Sequence, residues 1–163
     1  MSAAATSRGT LGTRIVHVDH PSFGNDIERF VTELRNEPRY FGPTASTNPK
    51  PFPSLIEALR DRGGFRLAAV ESGRIVGMAR IDGSGELFLA VVADRRRSGI
   101  GQQLAAAALV RAAELDYATV SIRSTRRSEA MHRLCRQFGS AAIDLGRGNV
   151  ELIVTPAPLR KSA

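Results

Sequence analysis

Between Leu87 and Leu115 a short apolar run, a glycine-bearing turn and an alanine-rich stretch follow one another, and this succession narrows the folds open to the chain. Leu87-Phe88-Leu89-Ala90-Val91-Val92 is short, apolar and rich in β-favouring residues, so it reads as a buried strand. The segment from Gln102 to Leu115 is dominated by alanine and other strong helix formers and reads as a helix. Arg96-Arg97-Ser98-Gly99-Ile100-Gly101 joins them. Such a turn suits phosphate: glycine lets the backbone come close, and the first helical turn offers unpaired N–H groups and a positive dipole end. Arg96 and Arg97 add charge-assisted donors.

Spacing discriminates among strand–loop–helix phosphate sites. A P-loop requires Gly-Lys-Ser/Thr, and the only lysines are Lys50 and Lys161. A dinucleotide fingerprint requires a third Gly or Ala, where this chain has Leu104. The run from Val91 to Gly101 instead resembles the pyrophosphate loop of the GNAT superfamily of acyl-CoA-dependent N-acyltransferases, Gln/Arg-x-x-Gly-x-Gly/Ala, with Ala93 where proline is common. Downstream, Ser128, Met131, Leu134 and Gly139 follow the Asn-x-x-Met-x-x-Leu-x-x-x-x-Gly-Phe spacing of bacterial protein-lysine acetyltransferase domains of that superfamily. Serine stands for the asparagine, and Ser140 for the phenylalanine. Glu37-Pro38-Arg39-Tyr40-Phe41 is similar to the Glu-Ser-Arg-Tyr start of the same domains.

The remaining chain accommodates this resemblance. Its 163 residues suit one domain, with a lead-in over 1–12, a single domain over 13–157 and a tail over 158–163. At 42% hydrophobic and 24% charged residues it has a globular composition, and no apolar run approaches the roughly 20 residues of a membrane span. The small, polar start lacks an apolar signal core and reads as disordered. A lone cysteine, Cys135, excludes an internal disulfide and points to a reducing cytoplasm. The net charge of +7, carried almost wholly by arginine, permits an anionic partner. Arginines scattered over solvated faces also explain it, and no aromatics for base stacking accompany the Arg95–Arg97 cluster.

Patterning predicts strands over Arg14–Val18, Phe65–Glu71, Arg74–Ile81, Glu86–Val92, Ala118–Arg123, Ala141–Asp144 and Val150–Val154. Helices are predicted over Asn25–Arg35, from an N-cap at Ser54 to Arg60, from the glycine loop to Leu115, and over Ser128–Phe138 with Gly139 as C-cap. Ser72-Gly73 is a hairpin turn, and the proline-bearing stretch from Pro38 to Pro53 a loop. The resemblance implies an α/β (α+β) GNAT fold: a mixed, mostly antiparallel central sheet of six to seven strands flanked by about four helices.

What the resemblance implies chemically is acetyl transfer from acetyl-CoA to a primary amine, on a small molecule or a protein lysine, by direct attack in a ternary complex. Backbone N–H groups at Val91 or Val92 would bind the thioester carbonyl or the pantetheine arm. The amides and side chains of Arg96, Arg97, Ser98, Gly99, Ile100, Gly101 and Gln102 would hold the pyrophosphate. An alkylammonium must lose a proton before it attacks, so a base is needed. Glu86 is the candidate, since it begins the strand that ends at the phosphate loop, with Asp82 as fallback; Glu86 reads equally as an exposed strand-end glutamate beside Gly83 and Gly85. Where relatives place a tyrosine acid this chain has Cys135, on an apolar stripe with Met131, Leu134 and Phe138; it is either that acid or a core residue. Ser128 either contacts pantetheine or caps its helix. Tyr117 reads as structural. His17, His20 and His132 are dispersed, with His132 on a polar face, and no spacing suggests a metal site. A non-catalytic module binding acyl-CoA or an anionic polymer through the same basic loop stays open, as does a homodimer. No motif identifies the acceptor, and the loop Gly42–Pro53 is placed to line its pocket.

Overall fold

Ser72 and Gly73 both sit at positive φ, 49° and 76°, forming the mirror-image turn whose twist suits a hairpin. They join β2 (Phe65–Glu71) to β3 (Arg74–Ile81), bounded as the sequence predicts. In this computed structural model, which describes residues 12–36, 53–61, 63–125 and 129–157, the other strands are β1 (Arg14–His17), β4 (Glu86–Val91), β5 (Val120–Thr125), β6 (Ser140–Gly146) and β7 (Asn149–Val154). They make one seven-stranded sheet in the order β1-β2-β3-β4-β5-β7-β6. Every pairing is antiparallel except β4 with β5.

Four α-helices are described: α1 (Gly24–Arg35), α2 (Pro53–Arg60), α3 (Ile100–Glu114) and α4 (Glu129–Gln137). The α1 stripe Ile27, Phe30, Val31 and Leu34 is wholly buried, as its spacing predicts. In α3 the buried Leu104 and Leu109 alternate with alanines that let the helix lie close to the sheet. Burying each such leucine contributes about 2 kcal/mol. The approach is closest at Gly77, where a Cβ would stand 2.8 Å from Leu104 Cδ1 and 3.3 Å from Ile100 Cγ2. Gly77 therefore marks the α3 face of the sheet. Arg80, three residues on, lies on the opposite face with α2.

Several boundaries differ from the sequence reading. Proline opens α2, so Ser54 lies inside the first turn; its fixed φ and missing N–H suit that position. The strand predicted from Ala118 begins at Val120 and continues to Thr125. The preceding helix is closed by Asp116 at φ 62° and a bond from Tyr117 N–H to Ala112 O, which occupies the residues between. Tyr117 packs edge-on against Phe65, ring centroids 6.1 Å apart, consistent with a structural part. Strand β6 spans all of Ser140–Gly146, longer than predicted.

Arginine is also not confined to solvated faces. Arg66 and Arg80 are only 3% and 5% exposed. Arg80 donates to Ala58 O (3.0 Å) and Gly63 O (2.8 Å), and Arg66 to Arg60 O (3.2 Å) and the Asp19 carboxylate (3.1 Å). Two guanidinium groups thus satisfy carbonyls at the end of α2, where the helix dipole favours a cation.

Candidate active site

The parallel neighbours β4 and β5 are paired only at Glu86 with Ser121 and Leu87 with Ile122. Beyond Leu87 the two strands part, while β4 stays paired with β3 as far as Val91. Val92 N–H donates to Val76 O at 2.9 Å, and Asp82 N–H donates to Glu86 O at 3.1 Å. Backbone direction alternates along a strand, so Leu89 and Val91 present their N–H and C=O groups to the opening left by β5. This corrects one expectation: Val92 N–H is committed to the β3 ladder, and Val91 is the residue whose amide faces the opening.

Val91 O accepts from Arg96 Nε at 3.1 Å, tying the loop arginine to the strand end. The short turn Ala93–Arg95 is clamped from both sides. Arg95 makes a bidentate pair with Glu71 at 2.6 and 2.8 Å, and Asp94 pairs with Arg74, which also holds Glu33 at 2.8 Å. The Arg95 hydrogen bond holds the Glu71 carboxyl below its ordinary range, against the opposing effect of burial. Arg95 is therefore an anchor of the loop. Ser98 Oγ donates to Arg95 O, rounding the turn off internally.

Gly99 takes φ 84° and introduces α3 with no side-chain cap, and the first turn holds no acidic residue. The N-cap supplies no side chain to the first-turn N–H groups, and a Cβ on Gly99 would meet nothing within 4 Å. A helix N-terminus begun in this way turns its positive dipole end toward the loop, where an anion is favoured. Arg97 is exposed beside it, whereas the Ile100 side chain is 1% exposed and contributes to the site only through its backbone. Gly101 follows in the helix, where a Cβ would make ordinary contact with Leu89 and Val91 at 3.7 and 3.8 Å. Gln102 is half-buried in the same turn.

Glu86 opens β4 on the sheet face opposite α3 and lies half-buried, its carboxylate 3.6 Å from Arg123 Nε. Its backbone is held by Asp82, whose Oδ1 accepts from Glu86 N–H (3.0 Å), Ser84 N–H (2.9 Å) and Ser84 Oγ (2.7 Å). Burial pushes the Asp82 carboxyl up, but these hydrogen bonds and the Arg80 charge outweigh it and hold the group below its usual range. Asp82 therefore builds the turn, and its carboxyl, held below its usual range, is a weaker base than an ordinary carboxylate. Arg123 is the residue that sequence reasoning missed. It is brought to Glu86 by the parallel pairing of β4 with β5, for which no local signal exists.

Cys135 is 0% exposed, and burial pushes its thiol up to about 11. A group without accessible surface cannot hand a proton to a departing thiolate, so its place is in the core. His132 is half-buried, not solvent-exposed as its polar neighbours suggest. Among the described residues no helix is long and apolar enough to cross a membrane. Ser128, the Glu37–Phe41 segment, most of the 38–53 loop, residues 1–11 and the 158–163 tail lie outside the described residues. A groove of about 460 Å³ between β1, α3 and Phe138 holds none of the predicted site residues.

A seven-stranded, mostly antiparallel sheet split beside an uncapped helix N-terminus defines a class, and residues 28–139 match the model of the acetyltransferase (GNAT) family. The chain belongs to that family. Solved structures share the fold. One is from Salmonella typhimurium, assigned as an acetyltransferase and solved with its cofactor acetyl-CoA: 16% identity, covering 93% of this chain and 96% of that one, TM-score 0.62. Another is a ribosomal-protein-alanine N-acetyltransferase from Brucella melitensis: 20% identity, 86% and 96% coverage, TM-score 0.62. A third, a ribosomal-protein-S18-alanine N-acetyltransferase from Escherichia coli, has 14% identity, 91% and 96% coverage and a TM-score of 0.59. No curated protein sequence matches the chain.

Proposed function

We propose that this chain is an acetyl-CoA-dependent N-acetyltransferase whose acceptor is a primary amine, on a small molecule or a protein, with direct transfer in a ternary complex. The observation that carries the reading is the glycine-introduced N-terminus of α3, free of acidic residues in its first turn, set behind Arg96 and Arg97 and beside the parted strands β4 and β5. Arg97, the α3 amides and Gln102 bind the pyrophosphate, and the pantetheine arm enters between β4 and β5 against Leu89 and Val91. The sheet face bearing Glu86, flanked by α1 and α2, receives the acceptor. Glu86 takes the proton of the acceptor ammonium, and Arg123 orients that carboxylate. The amine nitrogen then forms a bond to the thioester carbonyl carbon, the C–S bond breaks, and the second proton shed by the nitrogen passes through water to the departing coenzyme A thiolate. Holding both reactants in line supplies much of the acceleration.

Two arms of the acceptor test follow from what this chain resembles. A lysine peptide represents the protein-lysine acetyltransferase domains suggested by the Ser128–Gly139 spacing, and a peptide with N-terminal alanine represents the ribosomal-protein-alanine N-acetyltransferases of the same fold. Free polyamines and amino acids complete the panel. Calorimetry with acetyl-CoA beside single-stranded RNA is expected to show binding of the former only, and free thiol is expected to appear with at least one amine. Acetyl-CoA binding without thiol release from any amine would favour the non-catalytic module. Heat with RNA alone would favour the anionic-polymer reading.

A further inference from the structure

We infer that two copies of this chain pair through β6, edge to edge and antiparallel about a two-fold axis at Ala142, so that one sheet runs through both. Strand β6 is last in the sheet order and has β7 as its one neighbour. All seven of its residues are exposed, whereas every second residue of β7 is buried. Two of the three exposed large hydrophobics among the described residues, Ile143 (48%) and Leu145 (47%), stand on it.

The opposite edge shows how this sheet protects itself. Strand β1 has four residues and begins and ends with exposed Arg14 and His17, a short edge with polar ends. Strand β6 carries no proline, lysine or arginine, and Asp144 is its one charged residue. On a chain of net charge +7 that makes it a place where two copies approach with little repulsion.

The hydrogen-bonding direction selects the pairing. Thr155 N–H donates to Gly139 O at 3.1 Å, so Gly139, Ala141 and Ile143 turn their backbone polar groups toward β7. Ser140, Ala142 and Asp144 turn theirs away from β7, on the side where a second copy would pair. A two-fold axis at Asp144 would set two carboxylates opposite each other. An axis at Ala142 sets Ser140 of one copy against Asp144 of the other, twice, with hydroxyl donating to carboxylate. On the other face it sets small Ala141 against large Ile143, also twice. A bulge lies beyond Asp144, with Leu145 as the extra residue, and leaves Ser140–Asp144 regular. Ala141 stands beside Ile153, Ile153 beside Ser121 and Ser121 beside Glu86, so the joined sheet also extends the acceptor face.

Light scattering after gel filtration of the full chain tests this. The expected mass is twice the 17.6 kDa of one chain, falling to one chain for Ile143→Arg and for Ala142→Pro with the circular dichroism spectrum unchanged. A hydrogen-bonded pair places its Cα atoms about 5.5 Å apart, within disulfide reach. Mild oxidation is therefore expected to cross-link Ala142→Cys and not Ser140→Cys, native Cys135 being fully buried. A single-chain mass at every concentration overturns the inference. So does a dimer that Ile143→Arg leaves intact, or one that Ala142→Cys fails to cross-link.

Discussion

Glu86 is fixed from three directions, by the Asp82 carboxylate on its N–H, by Asp82 N–H on its carbonyl, and by Arg123 on its side chain. The strand end is thus held by its backbone, and the carboxylate is drawn toward Arg123 by charge, which keeps it near one side of the site. Replacing it by Gln keeps the shape and removes the proton acceptor. Glu86→Gln is expected to lower kcat by about 10²–10⁴-fold and leave acetyl-CoA affinity unchanged, measured by thiol release and calorimetry. An unaltered kcat and pH profile would remove Glu86 from the reaction. At this scale the sequence is legible where one strand carries the whole relation: the distance from Glu86 to the glycine loop is a count along β4. Arg123 is not legible, because its relation to Glu86 depends on a parallel pairing between strands thirty-odd residues apart. Cys135 illustrates the opposite error. Its place in the pattern suggests an acid, whereas the apolar stripe that carries it, with Leu134, turns it wholly into the core.

The loop and α3 form one element in which the two glycines have different parts. Gly99 holds φ 84°, which costs an L-residue about 1–2 kcal/mol, while Gly101 is helical with room for a methyl group. Gly99→Ala is therefore expected to lower the melting temperature and weaken acetyl-CoA binding together. Gly101→Ala is expected to raise stability by about 0.4–1 kcal/mol in the free protein. Equal losses in both would show that the motif is kept for some other reason. The clamp beneath the loop gives a pH signature. Glu71 has its carboxyl lowered by Arg95, so its stabilising contribution is full above the ordinary value near 4.5 and is lost as pH falls through the depressed folded value. Glu71→Gln is expected to be less stable than the parent at neutral pH, with the difference closing in acid; thermal melts across that range check it. Elements with strong local signals, the Ser72-Gly73 hairpin and the α1 stripe, are legible from sequence to the residue or nearly so. The ends of β5 and β6 are not, since Asp116 at positive φ and a bulge near Leu145 depend on tertiary context that leaves little trace in local composition.

Across the whole molecule the charge of +7 is unevenly committed. Arg60, Arg74, Arg95 and Arg111 face carboxylates, and Arg66 and Arg80 are buried against carbonyls and one aspartate each. Fold-building arginine could not be told from ligand-binding arginine by composition, because the two differ only in what the chain brings beside them. Arg97, by contrast, is exposed at the mouth of the helix. Such a surface should draw a multiply anionic thioester toward α3 over distances that salt controls. The screening length contracts from about 30 Å at ~0.01 M to about 10 Å at ~0.1 M ionic strength. KM for acetyl-CoA is expected to rise severalfold over that interval while kcat at saturation holds, because salt weakens the approach of the anion and not the transfer that follows. Arg97→Gln should raise KM at low salt and flatten its dependence on salt, since it removes one of the charges being screened. A KM indifferent to salt in both proteins would mean that the uncapped amides of α3 hold the cofactor alone, and that the surrounding charge serves the fold.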